Sequence, residues 1–260
     1  MKLATILGRG RTLRPGRTGG FFFVVWLGIL APSSHSQSQE AYLTLPVELV
    51  NSPADEGTAA GTDRSNVVVW LSRADGGEAQ PAQAYSSRQG PKLIQRNKSF
   101  EPHLLVVEIG TVVQFPNKDP FFHNIFSLYE GKPFDLGLYE AGSSRVVRFD
   151  RPGASFLFCN IHAEMSAVVV AVDTPYFGTS DRAGLAKVKQ PPPGRYILRV
   201  WYERSKPEDL LALTRPVTIT ESTRSLPTVK VITDPNFTLA HKNKYGQDYV
   251  SPADPAYLKP

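Results

Sequence analysis

Apolar and polar residues alternate in short runs along most of this chain, and glycine or proline ends nearly every run. A period of two, in segments rich in Val, Ile, Thr and aromatic residues, predicts half-buried strands. It predicts them over 42–50, 67–72, 103–109, 111–115, 123–128, 145–149, 155–160, 166–172, 195–202, 217–220 and 228–232. Turn signals separate them at Gly110, Pro116, Gly131, Gly142, Pro152 and Gly184, and at the three prolines and glycine of 191–194. Only 207–213 carries helical patterning. Two stretches, 51–66 and 73–90, are rich in small and polar residues and read as exposed loops. The segment from 234 to 260 has little periodicity and is expected to lie over the surface. No repeat is visible. The pattern is that of an all-β chain built as a β-sandwich.

The first 36 residues have a different character. Lys2, Arg9, Arg11, Arg14 and Arg17 form a basic region without an acid, followed by an apolar run at 21–31 and small residues ending at Ser34, His35 and Ser36. This is the layout of a secretory signal peptide, with an apolar run too short to span a bilayer comfortably. Retention as an uncleaved anchor is the alternative. No adjacent arginine pair precedes the apolar run, which favours the general secretory route over the twin-arginine one. The expected location is periplasmic or otherwise extracytoplasmic.

Export changes the reading of charge. The chain has 29 basic and 24 acidic side chains, and residues 1–36 carry five of the basic ones and no acid. The remainder holds 24 of each, so the basic excess belongs to the signal and gives no case for nucleic-acid binding. Exported proteins usually pair their cysteines. This one has a single cysteine, Cys159, which in an oxidising compartment needs burial or a metal.

Cys159 ends an apolar strand. His162 and Met165 follow at +3 and +6, and the apolar run of 168–172 resumes at once; His123 opens another strand upstream. Two imidazoles, a thiolate and a weak thioether are the donors that let copper change oxidation state with little rearrangement. Taken singly, each residue has an ordinary explanation: a core cysteine, a half-buried histidine beside Phe121 and Phe122, a loop histidine, a methionine filling a gap. Taken together, those explanations leave unexplained why the one cysteine lies six residues from Met165, when the only other methionine is Met1.

The stretch 98–173 resembles the cupredoxins of the plastocyanin and amicyanin kind, and its Cys-x-x-His-x-x-Met loop is similar to the short amicyanin loop. Phrases at 115–119, 122–127, 134–137, 159–162 and 174–177 are similar to exported proteins of the methylamine-utilisation type, over about 42–250. The resemblance implies one type 1 copper ion held by His123, Cys159, His162 and Met165, with Asn124 tying the His123 strand to the Cys159 loop. It also implies single-electron exchange with a donor and an acceptor protein through the exposed edge of His162. The loop here lacks prolines, so it has more conformational freedom without metal. The stretches around 179–184 and 191–201 resemble the second half of a carboxypeptidase regulatory-like sandwich, whose first half ends in a strand like 67–71.

The resulting expectation is a cupredoxin Greek-key β-sandwich at 90–173, set into a small transthyretin/Ig-like β-sandwich made of 40–89 and 174–233. Residues 1–36 form the signal and 234–260 a surface tail. Trp70 and Trp201 are expected to share the core of the smaller sandwich. The competing arrangement is two sequential domains, with 40–89 lending strands to the cupredoxin. His103 finds no partner in sequence and His241 sits in a lysine-rich segment, so both read as structural or solvated. With four histidines left after export and two of them used, a second copper centre is not expected, and neither is enzymatic activity. Another function class is a cell-envelope or carbohydrate-binding sandwich whose copper module traffics metal or has no redox role. Glu164 places a carboxylate beside His162 and favours a basic or neutral partner. Glu164→Gln should therefore change the ionic-strength dependence of electron-transfer rates; identical rates at every salt concentration contradict this.

Overall fold

A computed structural model of the chain describes residues 41–50, 63–76, 90–128 and 130–249, all within one compact unit. The expected signal at 1–36, most of the two polar loops and the last residues of the tail lie outside the described residues. Among those described, no helix is long and apolar enough to cross a membrane.

The architecture is all-β. The chain enters through β1 (Tyr42–Val50) and β2 (Val68–Arg73). It continues through β3 (Ile94–Arg96), β4 (Ser99–Glu101), β5 (Leu104–Glu108), β6 (Thr111–Pro116), β7 (His123–Ser127), β8 (Phe134–Tyr139), β9 (Ser144–Phe149), β10 (Gly153–Cys159) and β11 (Ser166–Val172). It leaves through β12 (Phe177–Thr179), β13 (Leu185–Lys189), β14 (Gly194–Trp201), helix α1 (Pro207–Ala212), β15 (Arg215–Ile219) and β16 (Val229–Ile232). The helix starts at Pro207 with Glu208 and Asp209 in its first turn, where a fixed φ and negative charge suit a helix start.

Alternation sorts these strands into layers. A three-stranded sheet, β13-β1-β16, faces a four-stranded sheet, β12-β2-β14-β15. Leu43, Leu45, Val47, Val69, Leu71, Tyr196, Leu198 and Val231 fill the space between them. A five-stranded sheet, β5-β11-β10-β7-β8, covers a second core with the β6-β9 and β3-β4 pairs. Phe115, Ile125, Phe149, Leu157, Cys159, Met165 and Val169 lie in that core. The outer faces of the four- and five-stranded sheets meet through a third cluster containing Val68, Val168, Val170 and Val172. The five-stranded sheet is thus covered on both sides, which is why β11 is apolar at almost every position instead of alternating. Burial of each such Val, Leu or Phe contributes about 1.5–3 kcal/mol. An exposed ion pair such as Arg73–Asp75 adds little beside this, so apolar packing dominates stability.

One expectation needs correction, and one histidine has partners that the sequence does not show. Trp70 packs in the third cluster, against the five-stranded sheet, and Trp201 touches both that cluster and the first core. The parity of β2 and β14 turns both indoles outward, leaving Tyr196, Leu198 and Leu71 to fill the sandwich. His103 does have partners: its Nε2 lies 2.7 Å from Glu203 Oε2, after β14, and its Nδ1 3.1 Å from the Ser166 carbonyl. No local pattern reveals a pair a hundred residues apart.

The hydrogen bond and charge of Glu203 raise the pKa of His103 above its ordinary value, although burial opposes the shift. A raised folded-state value means the contribution is complete below the ordinary pKa and is lost as pH climbs through the folded one. Solvent screening of the partly exposed ring limits it to about 1 kcal/mol or less. Denaturant midpoints should therefore fall from mildly acidic to mildly alkaline pH, and His103→Asn should flatten that slope. A slope unchanged in the variant assigns the pH dependence elsewhere.

Candidate metal centre

The centre is assembled where β7 begins and β10 ends. Before β7, the fully buried Asn117 holds a turn together. Its Nδ2 donates to the Phe121 carbonyl at 2.7 Å, and its Oδ1 accepts the Asp119 N–H at 3.0 Å. The turn delivers His123 to the first position of a strand that is buried at all five positions. β10 pairs with β7, with Cys159 opposite Ile125, and inward parity points Leu157 and Cys159 into the second core. The chain then folds back tightly. The Cys159 N–H donates to the Met165 carbonyl and the Met165 N–H to the His162 carbonyl, each at 3.2 Å, before β11 starts at Ser166.

Folding brings the two histidines to the thiol. Cys159 Sγ lies 3.7 Å from His123 Nδ1 and 3.5 Å from His162 Nδ1. Among the described residues, these three form the one group of His, Cys, Asp or Glu whose ligand atoms, all within 4.8 Å of one another, could hold a metal. A metal bonded at about 2.0 Å to nitrogen and 2.3 Å to sulfur sees such separations under angles of roughly 105–120°. The donor set therefore fits an ion of that size. His123 and Cys159 are fully buried and His162 is half-buried. Met165 is fully buried in the apolar cluster that contains Cys159.

Asp119, which the sequence pattern alone does not single out, sets the state of His123. Its Oδ2 lies 2.8 Å from His123 Nε2. Burial works to raise the Asp119 pKa, but the Lys98 N–H, His123 and the Asn97 N–H outweigh it and leave the pKa lowered. An ionised carboxylate only accepts hydrogen bonds, so Nε2 carries the proton and the Nδ1 lone pair is left facing the sulfur. Spacing of four along the chain was the available signal, but only the Asn117 turn makes it a contact. Phe121 packs against both imidazoles, with centroid distances of 5.2 Å to His123 and 5.6 Å to His162.

Burial pushes the Cys159 thiol up, against the backbone N–H groups of Asn124, Ile161 and His162, which favour the thiolate. His162 is shifted down, first by burial and then by the neighbouring His123. Both directions disfavour a charge on the protein groups by themselves, which suits neutral imidazole and a thiol that loses its proton only to a metal.

Asn124 makes contacts to both strands beside β7. Its backbone N–H faces the Cys159 sulfur, while its side-chain amide donates to Asp135 Oδ1 on β8 at 2.7 Å. Asp135 also accepts from Lys244 Nζ at 2.7 Å, and the Lys244 N–H donates to Asn160 Oδ1 at 3.0 Å. The side-chain link from β7 to the loop thus runs through two intermediaries, one of them in the C-terminal segment. That segment lies against the ligand strand. The Tyr249 hydroxyl donates to the Cys159 carbonyl at 2.6 Å, and His241 stacks on Phe158 with centroids 4.0 Å apart. His241 is therefore half-buried and not solvated, and its pKa is lowered by burial.

No family model matches this chain, and no curated protein does. Solved structures give partial likenesses. A copper-containing nitrite reductase from Thermus scotoductus SA-01 is similar at 23% identity and a TM-score of 0.31, over 36% of this chain and 25% of that one. The similar region thus spans about a quarter of that reductase. A purple cupredoxin from Nitrosopumilus maritimus is similar at 22% identity and a TM-score of 0.29, over 32% of this chain and 99% of that one. The reduced state of an amicyanin mutant is similar at 16% identity and a TM-score of 0.30, over 35% of this chain and 92% of that one.

Proposed function

We propose that this chain is an exported carrier of single electrons that holds one type 1 copper ion through His123, Cys159, His162 and Met165. The observation that carries the reading is the convergence of two histidine Nδ1 atoms and the only thiol within 4.8 Å of one another, in a largely buried place. Copper bound there supplies one-electron oxidation and reduction. The protein's own groups supply the rest. Asp119 holds the proton on His123 Nε2 and keeps Nδ1 free as a donor. Backbone N–H groups of Asn124, Ile161 and His162 face the sulfur and stabilise its anion. Phe121 and the apolar core keep water from the two buried ligands. Met165, buried in the same cluster as Cys159, would add a thioether as the weak fourth donor.

Four protein donors leave no position for a substrate, which favours a carrier over an enzyme. The half-buried His162, with Ile161 exposed beside it and Phe122 exposed next to His123, is the edge offered to a redox partner. The signal-like residues 1–36 support an extracytoplasmic location.

Metal-free protein given Cu(II) should develop the intense visible thiolate-to-copper absorption and a narrow-hyperfine paramagnetic resonance spectrum. Cys159→Ser should lose both. A colourless wild-type protein after loading would remove the proposal. Asp119→Asn tests the positioning of His123. Loss of the anionic acceptor should weaken Cu(II) binding by about 10–100-fold in chelator competition, with the blue band retained. Unchanged affinity would leave Asp119 with no part in the site.

A further inference from the structure

The four- and five-stranded sheets do not stay in contact across their whole width. Along β11 and β2 they touch through valines, and Phe156 still reaches Trp201 with ring centroids 6.3 Å apart. Towards β7 they part and leave a cleft of about 770 Å³, a volume suited to a small organic ligand. Phe126, Phe156 and Phe158 line it from one sheet, and Trp70 and Trp201 from the other. Leu128 and Leu211, both exposed, also line it, as does the C-terminal segment around His241.

Among the charged side chains lining this cleft, Glu130 is exposed, and the other three have partners inside the chain. Arg199 Nη1 donates to Ser72 Oγ at 3.1 Å, and Ser72 donates to Asp173 at 2.7 Å. Glu203 is paired with His103, and Lys242 lies 3.3 Å from Asp248. Two of the polar groups that line it are also occupied. Ser205 Oγ donates to the Ile232 carbonyl, and Asn243 Oδ1 accepts from the Tyr245 and Gln247 N–H groups.

We propose that this cleft is a binding site for a small, planar aromatic compound without anionic charge. Facing aromatic walls select a flat ring, and the exposed Glu130 carboxylate among the lining residues disfavours an anion. The site is independent of metal. By strand parity its wall residue Phe158 faces away from the core that receives Cys159.

Calorimetric titration of metal-free full chain with 2-naphthol tests this. The expected result is saturable one-to-one binding with a dissociation constant on the order of 100 µM. Leu211→Glu and Leu128→Lys, both at exposed positions, should each weaken it at least tenfold, as should replacing the probe by 2-naphthalenesulfonate. Cys159→Ser should bind the probe like the wild type while losing copper, which separates this site from the metal centre. Absence of saturable binding, equal affinity in both rim variants, or equally tight binding of the sulfonate overturns the proposal.

Discussion

Coverage of the five-stranded sheet on both faces is the constraint from which the rest follows. A sheet with two buried faces places a polar side chain on either at a cost unless that side chain finds a partner. Along β10 and β11, strict parity divides the side chains between two environments. Leu157, Cys159, Ala167, Val169 and Ala171 go to one core, and Ala154, Phe156, Val168 and Val170 to the opposite face. A slip of one residue would exchange the two sets and carry the thiol away from both imidazoles. The register of Phe158 with Phe126 and of Cys159 with Ile125 is therefore what positions the donor cluster.

The strands that build this frame were largely legible in the sequence, because their apolar positions are numerous and regular. β1, β7, β10, β11 and β14 fall within a residue or two of expectation. β3, β4 and β12 did not stand out, since three residues give no period to detect. β8 was missed because most of its positions are only partly buried, and β13 because lysines occupy its outward positions. The candidate donors were legible for a different reason. A scarce residue type, one cysteine and one internal methionine, stands at short spacing in a single loop. What could not be read were contacts made by distant segments: Asp135 with Lys244, His103 with Glu203, and Tyr249 with Cys159. The direction in which Trp70 and Trp201 point was equally hidden, because a strand buried on both faces shows no alternation from which to tell its faces apart.

Polar groups in this interior form connected sets. Asn117 fixes the turn that carries Asp119, Asp119 fixes His123, and Asn124 reaches the Cys159 loop through Asp135, Lys244 and Asn160. Gln95 Nε2 and the Tyr139 hydroxyl are also bonded, and that hydroxyl donates to the Phe115 carbonyl at 3.1 Å. The links through Asn117, Asp119, His123 and Tyr139 satisfy polar atoms that are buried, while the Asp135–Lys244 link lies at the surface. The Asn124 side chain shows the cost, for its Oδ1 is buried with no partner.

The bond from Tyr249 to the Cys159 carbonyl spans ninety residues of sequence. During synthesis the thiol strand therefore exists well before the segment that pins it. No strand lies beyond Ile232 among the described residues. A cut in the chain between 232 and 249 would therefore leave every one of those strands in place and still unfasten the 159–165 loop.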